Sequence, residues 1–252
     1  MMAMKLYIAL AALFLLLISF RTEAQTCGFG CLGLGGFYAG YGIQDYKATG
    51  FNEFIRKTAG SASATVQMPE FGRANGFRVG ANIFRTRFNN LIFSTKGYYQ
   101  FLKEENQLFE NIEGDGSVNT KYTLNLNYYG LGVDVGYSLG KLLAVKFVDA
   151  QVTFHSANLT SAVTSSEAPL KETDYSNDKL AVGYTLAGGL IFRLAGDYIS
   201  LEATAGYTRF SFGNLINDDL NSKPDEVTAI DNFISDGGLF GLIQLNVGIP
   251  LY

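Results

Sequence analysis

The sequence predicts an all-β protein, a membrane-spanning, antiparallel, up-and-down β-barrel of about eight strands with long external loops and short periplasmic turns. Three observations support this fold class. Apolar residues alternate with small or polar residues along eight runs, which is the period of a strand with two different faces. The connections between the runs alternate between long and short. Only 17% of the 252 residues are charged, whereas an ordinary soluble domain carries about a quarter.

The first 24 residues have the pattern of a signal peptide. Lys5 supplies a positive charge, Leu6 to Phe20 is an unbroken apolar run, and Ala24 is a small residue at the cleavage position. The apolar run is shorter than the roughly 20 residues that a membrane-spanning helix needs. We therefore expect residues 1–24 to be removed on export, 25–34 to form a periplasmic N-terminal segment, and 35–252 to form the barrel.

The first three runs each place large apolar side chains on one face. They extend from Phe37 to Tyr46, from Gly76 to Phe84 and from Leu91 to Leu102. Their other faces carry Gly40, Gly42 and Gln44; Arg78, Gly80 and Asn82; and Ser94, Lys96, Tyr98 and Gln100. Small and polar side chains suit the interior of a narrow barrel, which side chains fill.

The two middle runs are less regular. The fourth, Tyr122 to Leu139, changes parity near Tyr128 to Gly130, where we expect a β-bulge that keeps one apolar face. The fifth, Leu142 to Ser156, still places Val152 and Phe154 opposite Thr153 and His155. Both runs therefore remain strand predictions.

The last three runs complete the eight. They extend from Leu180 to Phe192, from Ile199 to Phe210 and from Gly241 to Tyr252. Their non-apolar faces carry Gly183, Thr185 and Ala187; Ser200, Glu202 and Thr204; and Gln244, Asn246 and Gly248. An even number of strands places both termini on the periplasmic side.

The connections distinguish the two ends of the predicted barrel. Those near 47–75, 103–121, 156–178 and 212–238 are long, polar and acidic, and those near 85–90, 138–141 and 193–197 are tight. A soluble barrel such as a lipocalin also alternates, but its polar face meets water and should be dense in Lys and Glu. Here that face is mostly small and uncharged, which favours a membrane barrel.

The mature chain resembles the porin-family outer-membrane β-barrels of Gram-negative bacteria. The resemblance rests on Ala24-Gln25, on Gly35 to Gly40, on Tyr128 to Val133, and on the terminal segment Leu245 to Tyr252. It implies surroundings of outer-membrane lipids and lipopolysaccharide, and recognition of the aromatic C-terminal strand by the barrel-assembly machinery. Tyr252 departs from the pattern, because it has the opposite parity to Val247, Ile249 and Leu251.

Four charged residues fall on the inward face and form a candidate polar network in the lumen: Arg78, Lys96, Asp134 and Glu202. An unpaired charge in that interior is costly, so we expect the four to pair with one another. A structural network is the favoured interpretation, and a gated polar pathway is the alternative.

His155 and Ser156 are weak catalytic candidates, because outer-membrane lipid A deacylases resemble this segment in using a His and a Ser at a strand end. The two residues are adjacent here, and adjacent strand residues point to opposite faces. Cys27 and Cys31 precede the first strand and are candidates for a small disulfide loop in an oxidising compartment. No cofactor or metal site is predicted, since the acidic fourth loop lacks an EF-hand spacing.

The sequence favours a non-enzymatic outer-membrane protein with a filled lumen, acting in envelope structure or in surface binding through its external loops. A lipid A-modifying hydrolase and a narrow solute channel are the alternatives. The net charge of −4 gives no reason to expect a nucleic-acid partner. The ligand of the loops is not predicted.

Overall fold

The computed structural model describes residues 35–58, 70–112, 116–165, 170–177, 179–196, 198–217 and 229–248. This part of the chain forms eleven strands and one helix: β1 (Gly36–Asp45), α1 (Thr49–Thr58), β2 (Arg73–Phe88), β3 (Leu91–Ile112), β4 (Gly116–Ser138), β5 (Leu143–Ser165), β6 (Lys171–Ser176), β7 (Ala181–Ala195), β8 (Ile199–Arg209), β9 (Phe212–Asn217), β10 (Ala229–Ile234) and β11 (Gly238–Val247). Within these residues no helix is both long and apolar enough to cross a bilayer.

Eight strands close into a barrel, which confirms the predicted fold class. β1, β2, β3, β4, β5, β7, β8 and β11 follow one another around the ring, each antiparallel to its neighbours. The pairing of β11 with β1 closes the ring, from Phe37 opposite Val247 to Gln44 opposite Phe240. A closed ring leaves none of its eight strands as a free edge where it spans the membrane.

The three remaining strands extend the sheet at one end. β6 pairs with β5, β9 pairs with β6, and β10 pairs with β9. The same end carries α1 and the projecting parts of β3, β4 and β5. We call these elements together the external extension. At the opposite end the described connections are tight turns, in which Asn89 and Gly196 adopt positive φ angles of 53° and 57°.

The predicted long connections lie at the end that carries the external extension, and two of the four contain more strand than the sequence indicated. Most of residues 103–121 and 156–178 continue as strands of the external extension. The reason is a second apolar core, since the strand segments carry inward-facing Leu108, Leu124 and Leu159, all at most 1% exposed. Burial of these side chains offsets the entropy of ordering the strands.

The predicted bulge at the parity change in β4 was wrong. The pairing of β4 with β3 and β5 runs without a shift through Tyr128 to Gly130. The even-numbered residues of β4 face inward on both sides of this point, so Leu124 points into the barrel and Leu131 points out. The apolar side chains change face because the strand leaves the membrane at this point. Outside the membrane the outer face of the sheet meets water, so the apolar side chains lie on the inner face instead.

An apolar belt surrounds the barrel on the tight-turn side of that point. On β4 the outward apolar positions extend from Tyr129 to Tyr137, which is the length of about 9 to 11 residues that a tilted transmembrane strand needs. Aromatic rings mark its upper edge, where Tyr41 contacts Phe77 with ring centroids 5.2 Å apart, and Tyr99 contacts Tyr129 at 4.5 Å. We call this edge the upper aromatic girdle, since such girdles form at membrane interfaces.

Helix α1 closes the extension from inside. Phe51 and Ile55 lie one turn apart on the same helix face, and both are fully buried. The Phe51 ring packs against Phe71 and Phe233, with centroid distances of 4.5 and 5.0 Å. The interior therefore has two layers, an apolar core in the extension and a polar lumen within the belt.

Candidate functional site

The polar lumen contains a cluster of five charged side chains, which we call the lumen ion cluster: Lys96, Asp134, Lys146, Asp149 and Glu202. The Nζ atom of Lys96 lies 2.5 Å from Asp149 Oδ2 and 3.0 Å from Asp134 Oδ1. Lys146 Nζ lies 3.2 Å from Asp134 Oδ2 and 3.4 Å from Asp149 Oδ2, and it also contacts Glu202. All five residues are buried, so each ammonium group is paired with carboxylates of the cluster and not with water.

A bulge in β5 brings two of these residues together. The pairing of β5 with β4 and with β7 shifts between Lys146 and Asp149, so that both side chains point inward although they are three residues apart. In a regular strand, residues three apart lie on opposite faces. This local irregularity is why period-two reasoning from the sequence missed Lys146 and Asp149.

A small cavity of about 20 Å³ lies beside the cluster. Asp134, Lys146 and Glu202 line it together with Ser94 and Arg85. It has room for roughly one water molecule. The cluster has three carboxylates and two ammonium groups, so it carries one excess negative charge when all five groups are ionised.

Arg78 does not join the other three predicted network residues, which corrects the expectation that all four would pair. Its Nε donates to Gln100 Oε1 at 2.7 Å, and one Nη donates to the Tyr128 hydroxyl at 3.1 Å. The guanidinium carbon lies 3.9 Å from the centre of the Tyr98 ring. A cation stacked on an aromatic face is stabilised without a carboxylate.

Inward-facing glycines make room for the tyrosine rings that fill the lumen. A Cβ atom on Gly130 would overlap the Tyr98 ring, and one on Gly80 would lie 2.5 Å from Tyr38 Cζ. The glycines on the inward faces of the strands thus leave the space that the large inward side chains occupy. The Tyr38 and Tyr98 rings both lie in the described interior of the barrel.

His155 lies at the junction of the polar lumen and the apolar core. Its ring stacks on Phe210 at a centroid distance of 4.2 Å and contacts Tyr128 at 4.4 Å, and Nε2 lies 2.8 Å from Thr153 Oγ1. Ser156 is on the outer face, where its hydroxyl donates to the Asn127 carbonyl at 3.3 Å. The structure therefore does not bring these two residues together, because they lie on opposite sides of the sheet.

A second polar contact fixes the first external connection. The Tyr46 hydroxyl donates to Glu104 at 2.5 Å, and the same carboxylate accepts the backbone N–H of Arg73 at 2.9 Å. Burial raises the pKa of Glu104, and burial together with the Glu104 charge raises the pKa of Tyr46 well above its ordinary value. Glu104 of β3 therefore binds both ends of the connection between β1 and β2, Tyr46 at its start and Arg73 at its end.

Some predicted positions fall outside the described residues. These are the signal peptide, Cys27 and Cys31, and the terminal Tyr252. Among the residues that are described, no group of three or more His, Cys, Asp or Glu side chains is placed to hold a metal ion.

Three solved structures are similar to the chain over most of its length. Ail, the attachment invasion locus protein of Yersinia pestis in complex with the heparin analogue sucrose octasulfate, is 11% identical with a TM-score of 0.37, covering 84% of this chain and 97% of Ail. The outer membrane protease OmpT of Escherichia coli is 9% identical with a TM-score of 0.45, covering 85% and 94%. Neisserial surface protein A is 15% identical with a TM-score of 0.35, covering 84% and 97%.

No protein-family model and no curated protein matches the chain. The fold assignment therefore depends on the geometry of the chain itself: the closed ring, the apolar belt and the polar interior. This chain is an eight-stranded β-barrel of the kind found in the outer membranes of Gram-negative bacteria, and porin is only a loose label for it.

Proposed function

We propose that this chain is a non-enzymatic outer-membrane protein whose filled barrel anchors the external extension, and that the extension acts in envelope structure or in surface binding. The observation that supports this most is the second apolar core. An extension needed only to connect strands could be short and irregular, whereas this one has its own core and helix. A rigid head of this kind is suited to present a fixed surface outside the membrane.

The alternatives have less support. A lipid A-modifying hydrolase would need a nucleophile next to its base, and Ser156 and His155 lie on opposite faces. A solute channel would need a continuous polar path, and the described interior changes from polar to apolar at the level of His155. Export by a signal peptide and recognition by the assembly machinery remain proposals from the sequence.

The experiment compares cells that produce the wild-type chain with cells that produce an Ile55→Asp variant. Ile55 is fully buried in the apolar core of the external extension, so a carboxylate there should disrupt the extension and leave the apolar belt of the barrel unchanged. Lys57→Asp, on the exposed face of the same helix, is the matched control. We expect heat-modifiable barrels from all three chains and a loss of detergent resistance or of surface adhesion only for Ile55→Asp.

The adhesion panel should include sulfated glycans, since Ail was crystallised with a heparin analogue. Lipid A mass spectra and planar-bilayer conductance complete the comparison. A change in lipid A that requires the chain, or a steady conductance through the purified barrel, would contradict the proposal.

A further inference from the structure

A surface of amide and hydroxyl side chains lies on the outside of the barrel directly above the upper aromatic girdle. Three cross-strand pairs of β4 and β5 form it: Thr123 opposite Thr160, Asn125 opposite Asn158, and Asn127 opposite Ser156. We call these six residues the polar sector. The next pair toward the membrane is Tyr129 opposite Phe154, so the sector is continuous with the lipid-facing belt.

The asparagines are unexpected at these positions. Asn is depleted in strands because its side chain competes for backbone hydrogen bonds, yet Asn125, Asn127 and Asn158 occupy three of the six sites. In the described part of the chain, no hydrogen bond engages their side-chain amides. Residues that violate a local preference without a structural compensation are candidates for a binding function.

Charged side chains lie at this height around the barrel, also directly beside the polar sector. Thr123 Oγ1 donates to Glu105 at 3.4 Å, the same carboxylate pairs with Lys103 and Lys121, and Thr160 Oγ1 donates to Asp174 at 2.6 Å. On β1 and β2, Arg73 Nε lies 2.6 Å from Asp45 Oδ1, two rows above the Tyr41–Phe77 contact. On β8, Arg209 donates to the Tyr184 hydroxyl at 3.3 Å. Charged side chains thus surround the polar sector, and the sector itself consists of amides and hydroxyls, which both donate and accept hydrogen bonds.

Aromatic rings border the polar sector at its lower corner. Phe101 lies opposite Asn127 in the β3–β4 pairing and is 49% exposed. Its ring contacts Tyr99 with a centroid distance of 4.4 Å. A surface with amides and hydroxyls beside exposed rings fits sugar rings, which present hydroxyls at their edges and C–H groups on their faces.

We propose that the polar sector binds the sugar headgroups of glycolipids anchored in the outer leaflet. Its position selects this occupant, because a surface just above an aromatic girdle faces the headgroup layer. Its three unpaired amides match the hydroxyl groups of sugar rings, which also donate and accept hydrogen bonds. The inference rests on the proposed function, since it takes the extension to stand outside the outer leaflet.

The test uses the full-length barrel in detergent and an Asn125→Val/Asn158→Val variant. Valine keeps a strong strand preference and removes both amides. Asn214→Val is the matched control, because Asn214 is an exposed strand residue of β9 outside the sector. The probes are lipopolysaccharide truncated to its inner-core sugars, phosphatidylglycerol, and the same core oligosaccharide without its lipid, with retained molecules counted by native mass spectrometry.

We expect the wild-type chain and Asn214→Val to retain the glycolipid in preference to phosphatidylglycerol, and the double variant to retain it at least about tenfold more weakly, or about 1.4 kcal/mol. Equal retention by the double variant would overturn the assignment of the site. Equal retention of phosphatidylglycerol would show that the belt alone holds lipid. Binding of the free oligosaccharide as strongly as the glycolipid would overturn the membrane source.

These outcomes are separable from those of the proposed function. Loss of adhesion in Ile55→Asp with unchanged glycolipid retention would support the extension as the acting element and leave the polar sector to its own test. Unchanged adhesion in Ile55→Asp with sector-dependent retention would refute the proposed function alone.

Discussion

Lys146 is the residue on which the lumen ion cluster depends most. Its ammonium group contacts Asp134, Asp149 and Glu202, whereas Lys96 contacts only the first two. Replacement by Met keeps the length and the apolar stem of the side chain. The cluster is then left with three carboxylates and one ammonium group.

The expected cost follows from burial. The Lys146 side chain is 2% exposed, so water cannot compensate the carboxylates it leaves behind. Removal of one partner from a buried pair costs about 3–5 kcal/mol. We therefore expect Lys146→Met to lower the free energy of unfolding by about that amount. Adding Glu202→Gln restores the original charge difference, so the double variant should recover part of the loss, with a coupling of about 1–3 kcal/mol.

The assay is urea-induced unfolding in lipid vesicles, followed by heat-modifiable gel migration and by circular dichroism. Intrinsic fluorescence would have to use the 15 tyrosines, because the chain has no tryptophan. Lys121→Met is the matched control, since its ion pair with Glu105 at 3.1 Å is exposed and should contribute no more than about 1 kcal/mol. If Lys146→Met unfolded at the same urea concentration as Lys121→Met, the cluster would not be the stabilising element inferred here.

Three further predictions concern other parts of the chain. Gly130→Ala should destabilise the barrel by about 1–3 kcal/mol, because the added Cβ overlaps the Tyr98 ring. Gly140→Ala should not, because no atom lies within 4 Å of the added Cβ. Urea unfolding compares the two variants, and equal midpoints would refute the inference that Gly130 makes room for Tyr98. The pKa of Tyr46 is raised in the folded chain, so its hydrogen bond to Glu104 is fully stable below about pH 10 and weakens as the pH rises above that value. Limited proteolysis between residues 46 and 72 should then increase with pH in the wild type and less steeply in Tyr46→Phe. Parallel pH profiles of the two chains would contradict this. Phe51→Ala should lower the stability of the external extension by about 3–5 kcal/mol, because it removes a fully buried ring from the second apolar core. We expect faster proteolysis of the extension with an unchanged barrel band on gels. Equal cleavage rates would count against the second core.

Period-two alternation was sufficient to predict the barrel strands and their inward faces, because one residue step always reverses a strand side chain. Gly40, Lys96 and Thr185 all face the interior as the pattern predicts. The pattern also placed Lys96, Asp134 and Glu202 in the lumen. It could not place Lys146 and Asp149, since a bulge breaks the period between them.

The external extension was harder to predict, because the same alternation has opposite meanings on the two sides of the girdle. In β4 the apolar residues face inward at Leu124 and outward at Leu131, and only knowledge of the membrane boundary distinguishes this from a bulge. Helix α1 did leave a signal in the sequence. Phe51, Phe54 and Ile55 have the spacing of one helical face within a segment that looked like a loop.

The partners of Arg78 show a different limit. Charge alone predicts carboxylates around a buried guanidinium, but here an amide oxygen, a hydroxyl and an aromatic face surround it. Those groups lie on β3 and β4. Which of them reach Arg78 on β2 depends on the register between the strands, and the sequence pattern does not predict that register.

The apolar face of the sheet changes from the inside to the outside at Tyr129, and spin labels along β4 measure this reversal. Cys27 and Cys31 would first be replaced by Ser, and single nitroxides then placed in liposome-embedded barrels at positions 123, 125, 127, 129, 131, 133, 135 and 137. We expect contact with a water-soluble relaxation agent at the first three positions and contact with lipid-dissolved oxygen at the other five. Water contact throughout 129–137 would show that this apolar face does not meet lipid and that the barrel does not span a membrane at this level.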